Sequence, residues 1–256
     1  MSLVPAGRGA PRGTGRDALA TLAAFASRHP EWWTLLLSVA AWAAVILASA
    51  DRLPIALCGA RRAETAPAGE IGGFMVMVAA MMLPLLVAPV RRTAFASLWC
   101  RRHRAIGGFL LGYAALWLML GGTVIGLARI LCPADAALGQ IASLVLAAAA
   151  LWELTPGKRR ALSACHRTIP LRPLGAKADV DCIRYGLLHA RSCLASCWAM
   201  MLGASLASQQ LPVMVAVAAI LMAERHWPRR TRHVDALILA GLALASALIT
   251  LFEFRL

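Results

Sequence analysis

Apolar residues fall into seven blocks along the chain, separated by short polar or arginine-rich segments. The blocks lie at about 32–50, 71–90, 107–131, 134–155, 186–207, 211–224 and 234–252. An α-helix needs roughly 20 apolar residues to cross the hydrocarbon core of a bilayer. Six blocks meet that length, and the sixth in order is short. The pattern predicts an all-α fold, a polytopic membrane helix bundle of about seven transmembrane helices. The number drops to six if the short block is re-entrant. Residues 1–30, with four arginines and three prolines, read as a disordered basic cytoplasmic tail, and 31–256 as the transmembrane helical domain. Ala48-Ser49-Ala50 resembles a signal-peptidase site, but the run before it exceeds a signal peptide's apolar region, so a retained helix is expected.

Within the blocks, individual residues predict local shape. Pro84 removes a backbone donor and should kink the second helix. Gly112, Gly121, Gly122 and Gly126 in the third allow close helix approach. The 157–185 segment reads as a long basic loop.

Composition agrees with this pattern. Hydrophobic residues make up 60% of the 256 and the mean hydropathy is +0.70, above the roughly 45–50% apolar content of a soluble domain. The net charge of +14 does not indicate nucleic acid, because the arginines sit between apolar blocks, where topology accounts for them. With seven spans, 20 of the 26 Lys and Arg residues fall on one side, four on the other, and Arg129 and Arg191 within helices. Positive charge marks the cytoplasmic side, so the N-terminus is expected in the cytoplasm and the chain in the inner (plasma) membrane.

Candidate chemistry concentrates in the fifth block. His189, Cys193 and Cys197 recur at steps of four, followed by Met200 and Met201. At about 100° per residue, His189, Cys193, Cys197 and Met200 share one helix face. Arg191 lies about 200° from His189 and so outside it. At 1.5 Å per residue, the two cysteines lie about 10 and 16 Å from the cytoplasmic end of their helix. Met81 and Met82, on a helix running the other way, lie about 12–14 Å from that end. Glu153 and Glu224 fall near the level of His189, at the cytoplasmic boundary, where they could be ligands, cap helix ends or pair with Arg159 and Arg225. Cys165-His166 in the basic loop is a candidate entry point for a metal. Cys182 joins the His189 face only if its helix begins early, and Cys58, Cys100 and Cys132 read as structural. The expected metal ligands are therefore His189, Cys193, Cys197, Met81 and Met82, with Glu153, Glu224, Met200, Cys165 and His166 as accessories. Thiolates and thioethers select Cu(I), so copper is the first expectation. Zinc, which takes four N, S or O ligands, is the alternative. Met and Cys are also ordinary packing residues in apolar helices.

The same residues carry a resemblance. Ala80-Met-Met-Leu-Pro84, Leu154-Thr-Pro-Gly-Lys158, Gly186-Leu-Leu-His189, Cys193-Leu-Ala-Ser-Cys-Trp-Ala-Met-Met201 and Glu224-Arg-His-Trp-Pro228 occur in this order. Over about 70–250 the chain resembles a domain-of-unknown-function family of predicted metal-binding integral membrane proteins. The resemblance implies membrane location and a bound metal, and no established activity. This chain departs from the family at Ser196, where a cysteine is common, at Ala161, near which another is usual, and at Glu153, near which the family has glutamine. It thus has fewer sulfurs and one more carboxylate.

These readings point to a protein that binds copper or zinc for transport or delivery. Its expected partners are the lipid bilayer and a metallochaperone or membrane partner protein, with no nucleic acid. A metal- or haem-dependent membrane redox protein and a metal-free assembly scaffold are the other readings. No sequence motif assigns an enzymatic reaction. Walker and Rossmann glycine patterns and an inverted repeat are all missing from the sequence.

Overall fold

A computed structural model describes residues 21, 24–25, 27–49, 67–131, 135–207, 210–226 and 232–253. Most of the basic N-terminal tail, Cys58, Cys132, Ser208 and the Trp227-Pro228 end of the last motif lie outside the described residues. Every described element is helical: α1 (Trp32–Ser49), α2 (Pro67–Met82), α3 (Val87–Ala96), α4 (Arg102–Leu131), α5 (Asp135–Leu154), α6 (Pro156–Cys165), α7 (Ala176–Leu206), α8 (Leu211–His226) and α9 (Arg232–Glu253). Short 3-10 turns at Leu83–Leu86 and Trp99–Arg101 link α2 to α3 and α3 to α4.

The all-helical expectation holds. Three stretches are long and apolar enough to cross a membrane: Trp32–Ser49, Pro67–Ala96 and Trp99–Ile130. Gln140–Leu154 and His233–Leu248 are shorter apolar helices. The seven-span count is therefore not established by helix length and composition. The reason is visible in two elements: α8 has only 16 residues, and α7 carries Arg184 and Arg191 along its 31.

Two helices differ from expectation within the basic segment 157–185. Residues 156–165 form α6, started by Thr155, whose side-chain oxygen accepts from the Lys158 N–H, and by Pro156 in the first turn. Such a Thr-Pro start satisfies one exposed backbone donor and needs none from proline. Helix α7 begins at Ala176, ten residues before the apolar block. This early start brings Cys182 into the buried face that also holds His189, Cys193 and Cys197.

At Pro84 the α-helix is interrupted by a 3-10 turn, and the break is closed from outside. Pro84 has no N–H to offer the Ala80 carbonyl four residues earlier. Ser38 Oγ of α1 donates to that carbonyl at 2.9 Å. The helix passes through the Leu83–Leu86 3-10 turn and resumes at Val87. Met81 and Met82, the last two residues before the break, are both buried.

Helices α4 and α7 form the closest pair. A Cβ at Gly112 would run into the Ile183 carbonyl, and one at Gly186 into the Phe109 carbonyl. The two glycines face opposite partners, so each backbone nests against the other. Gly121 likewise leaves room for the Phe74 ring of α2, whereas Gly122 and Gly126 have open space where a Cβ would stand. Only part of the third block's glycine content is thus used for packing. The core around this contact contains Phe74, Phe109, Trp117, Met77, Met81, Met82, Met200 and Met201. Many large apolar side chains on the outside, among them Leu36, Leu111, Met119, Leu151 and Leu244, are exposed.

Candidate metal centre

The α7 face predicted from the four-residue spacing points into the core. Cys193 and Cys197 are buried, and their sulfurs lie 3.9 Å apart. The i, i+4 step places them on successive turns of one stripe. The third sulfur comes from the Pro84 kink: Met82 Sδ is 3.8 Å from Cys193 Sγ. Three sulfurs from two helices therefore converge on Cys193.

The fourth neighbour was not legible in the sequence. Tyr113 of α4 donates its hydroxyl to Cys193 Sγ at 3.2 Å. It can do so because Gly112, the residue before it, lets α4 and α7 approach at backbone contact. Aromatic content alone gives no signal for such a contact. A hydroxyl aimed at a sulfur stabilises the thiolate over the thiol. The Cys197 thiol also donates to the Cys193 carbonyl at 3.0 Å. That bond fixes its rotamer beside its neighbour.

His189 lies one turn before Cys193 and is buried. Its ring is set among Phe109, Tyr113 and Tyr185, with centroids 5.9, 6.3 and 6.1 Å away. The structure thus surrounds His189 with three aromatic rings, one helical turn from Cys193. Met81 and Met200 are buried in the same core. Met82 is the methionine brought within 4 Å of a cysteine sulfur.

Cys165, at the end of α6, is buried and stands 3.9 Å from Ser196 Oγ. Ser196 in turn donates to the Cys193 carbonyl at 2.8 Å. Burial first, then the nearby Cys193, pushes the Cys165 thiol up to about 11. His166 is exposed at the helix C-terminus. Partial burial and then Arg225 hold its imidazole below the ordinary value, which favours the neutral, ligand-competent form. All described cysteines are free thiols: Cys100, Cys165, Cys182, Cys193 and Cys197.

The carboxylates do not face the sulfurs as a pair of open ligands. Lys158 Nζ lies 2.6 Å from Glu153 Oε1 and 3.0 Å from Glu224 Oε1. The lysine is wholly buried. It replaces Arg159 and Arg225 as the partner expected for these acids. The ammonium sits where a cation shared by two carboxylates would sit. Glu153 Oε2 has no hydrogen-bond partner among the described residues. In those same residues, no group of three or more His, Cys, Asp and Glu side chains is arranged to hold a metal ion. The sulfur cluster counts only two such residues and completes itself with a thioether.

The two sulfur separations measured from Cys193 are those of plain sulfur–sulfur contact and can also be compared with separations across a metal ion. A metal–thiolate bond of about 2.3 Å separates two sulfurs by about 3.8 Å in tetrahedral and about 4.0 Å in trigonal coordination. The observed 3.8 and 3.9 Å lie in that interval. Two thiols and a thioether form a soft set matched to Cu(I). Zinc would need a fourth ligand, and Glu153 and Glu224, the carboxylates expected as accessory ligands, are held by Lys158.

Comparison with known proteins gives a family. The profile of a family described as PpoB2, copper chaperone, matches residues 71–249, and the chain belongs to that family. No curated protein and no solved structure matches it.

Proposed function

From membership of this copper chaperone family, we propose that the chain is an integral membrane protein that takes Cu(I) as its cargo at Cys193, Cys197 and Met82 and passes it to a partner protein. The observation that carries the reading is the convergence of these three buried sulfurs within 3.9 Å of Cys193. Soft ligands select the soft ion, and the buried, apolar surround disfavours competing water.

The membrane part rests on three long apolar helices and on the exposed leucines and methionine that ring the bundle. In water such a surface would be costly, whereas in lipid it is the solvent-facing side. The arginine distribution sets the N-terminus in the cytoplasm. Cys165 and His166 then lie on the cytoplasmic side of the cluster, with His166 at the surface and Cys165 one layer in. They form a short path by which copper reaches or leaves Cys193 through ligand exchange. Cytosolic thiols stay reduced, so the path needs no reductant of its own.

Copper K-edge X-ray absorption on the loaded, detergent-purified protein tests the ligand set. A shell of sulfur that is unchanged by His189→Ala is expected. A shell containing nitrogen that disappears in His189→Ala would replace the three-sulfur assignment with a His189-containing one.

A further inference from the structure

The end of the molecule that carries Glu31, Arg91 and Arg102 holds a second, unrelated feature. An open cavity of about 470 Å³ is lined by Ser27, Arg28, His29, Arg91, Phe95, Trp99 and Arg102. It lies where α3 ends, α4 begins and the chain enters α1. Its walls combine two chemistries. Arg28, Arg91 and Arg102 supply guanidinium groups. Phe95 and Trp99 supply rings that remain about half or more exposed, at 48% and 63%.

The guanidiniums are held ready rather than consumed. Arg102 Cζ lies 3.9 Å from the Trp99 ring centre and 4.9 Å from that of Phe95. Arg91 lies 5.6 Å over Phe95. Stacking of this kind fixes the plane of a guanidinium and leaves its edge donors available. Arg102 Nη1 donates to the Ser27 carbonyl at 3.3 Å, while its Nε is buried with no hydrogen-bond partner among the described residues. Among the described residues the acid paired here is Glu31, which lies 3.3 Å from His29 and 3.9 Å from Arg91. It offsets one of the three arginines. Arg101 and Arg104, by contrast, are both paired with Asp179 and take no part.

We propose that this cavity binds the phosphodiester of an anionic phospholipid. A phosphate oxygen pair matches the guanidinium fork. A free phosphate would gain nothing from exposed Phe95, Trp99 and the neighbouring Leu98, which is also exposed. A lipid brings its glycerol and upper acyl chain to those side chains while its phosphate meets the arginines. Interfacial tryptophan and arginine are placed in this way at membrane boundaries. The inference rests on the membrane reading above.

The test uses the full chain. Fractionation comes first: a chain found in the soluble fraction overturns the membrane reading and this one with it. For membrane-extracted protein, native mass spectrometry is titrated with phosphatidylglycerol or phosphatidylcholine, with and without excess inorganic phosphate. At about 1 kcal/mol per arginine, phosphatidylglycerol should bind about tenfold tighter or more. Arg91→Gln with Arg102→Gln should erase that preference, and Trp99→Ala should weaken binding of phosphatidylglycerol. Retained copper loading, at sulfurs carried by α2 and α7, shows that the variants are folded. Should the arginine variant lose its fold, Trp99→Ala carries the test alone. Equal binding of the two lipids, or a preference that survives in the variants, overturns the inference. So does displacement of the lipid by inorganic phosphate with Trp99→Ala unchanged, which would mark a site for soluble phosphate.

Discussion

At the scale of single residues, the sulfur cluster depends on one hydroxyl. Tyr113 donates to Cys193 Sγ at 3.2 Å in a buried site. A hydrogen bond to a charged group contributes about 1.5–3 kcal/mol. Tyr113→Phe should therefore retain copper and bind Cu(I) about tenfold more weakly or worse. Competition with a chromophoric Cu(I) chelator measures this. An unchanged affinity would show that the hydroxyl serves packing only. The cysteine pair was legible in the sequence because a step of four is a helix stripe. Met82 was legible because its depth followed from counting residues to the helix end. Tyr113 was not, since its contact depends on how closely α4 and α7 approach, and no single-helix periodicity encodes that distance.

At the scale of elements, α5, α6 and α8 are tied through Lys158. Its Nζ bridges Glu153 at the end of α5 and Glu224 near the end of α8. Removing one partner of a buried ionic group leaves uncompensated charge and costs about 3–5 kcal/mol. Lys158→Met strands two carboxylates and should lower the thermal midpoint in detergent steeply. Glu153→Gln keeps an acceptor for Nζ and should lower it much less. Equal shifts in the two variants would deny the lysine its central place. Charge alone reads the basic segment as a loop, yet Thr155-Pro156 is a helix start that local chemistry makes legible. What charge could not reveal is that Lys158 turns inward while the adjacent Arg159 and Arg160 are exposed. The Pro84 break was legible from proline itself, but its partner Ser38 lies 42 residues from Ala80 and only tertiary structure pairs them.

At the scale of the whole molecule, the described helices place their ion pairs at the two ends of the bundle. Arg101 and Arg104 with Asp179, and Lys158 with its two acids, fall at the end assigned to the cytoplasm. Arg129 with Glu70 falls at the other. Between them the core is apolar apart from the sulfurs, His189 and a few hydroxyls. This division reads directly from the alternation of apolar blocks and arginines, and it is why the all-helical class was legible at once. The number of spans was less so, because α7 and α8 stray from ideal length and composition. The central claim remains that Cys193 and Cys197 anchor one Cu(I). Its most direct test is the copper content of purified protein grown with copper, compared with that of Cys193→Ser plus Cys197→Ser. Near-stoichiometric copper in the wild type and its loss in the double variant are predicted. Copper in neither protein, or the same amount in both, would contradict the account.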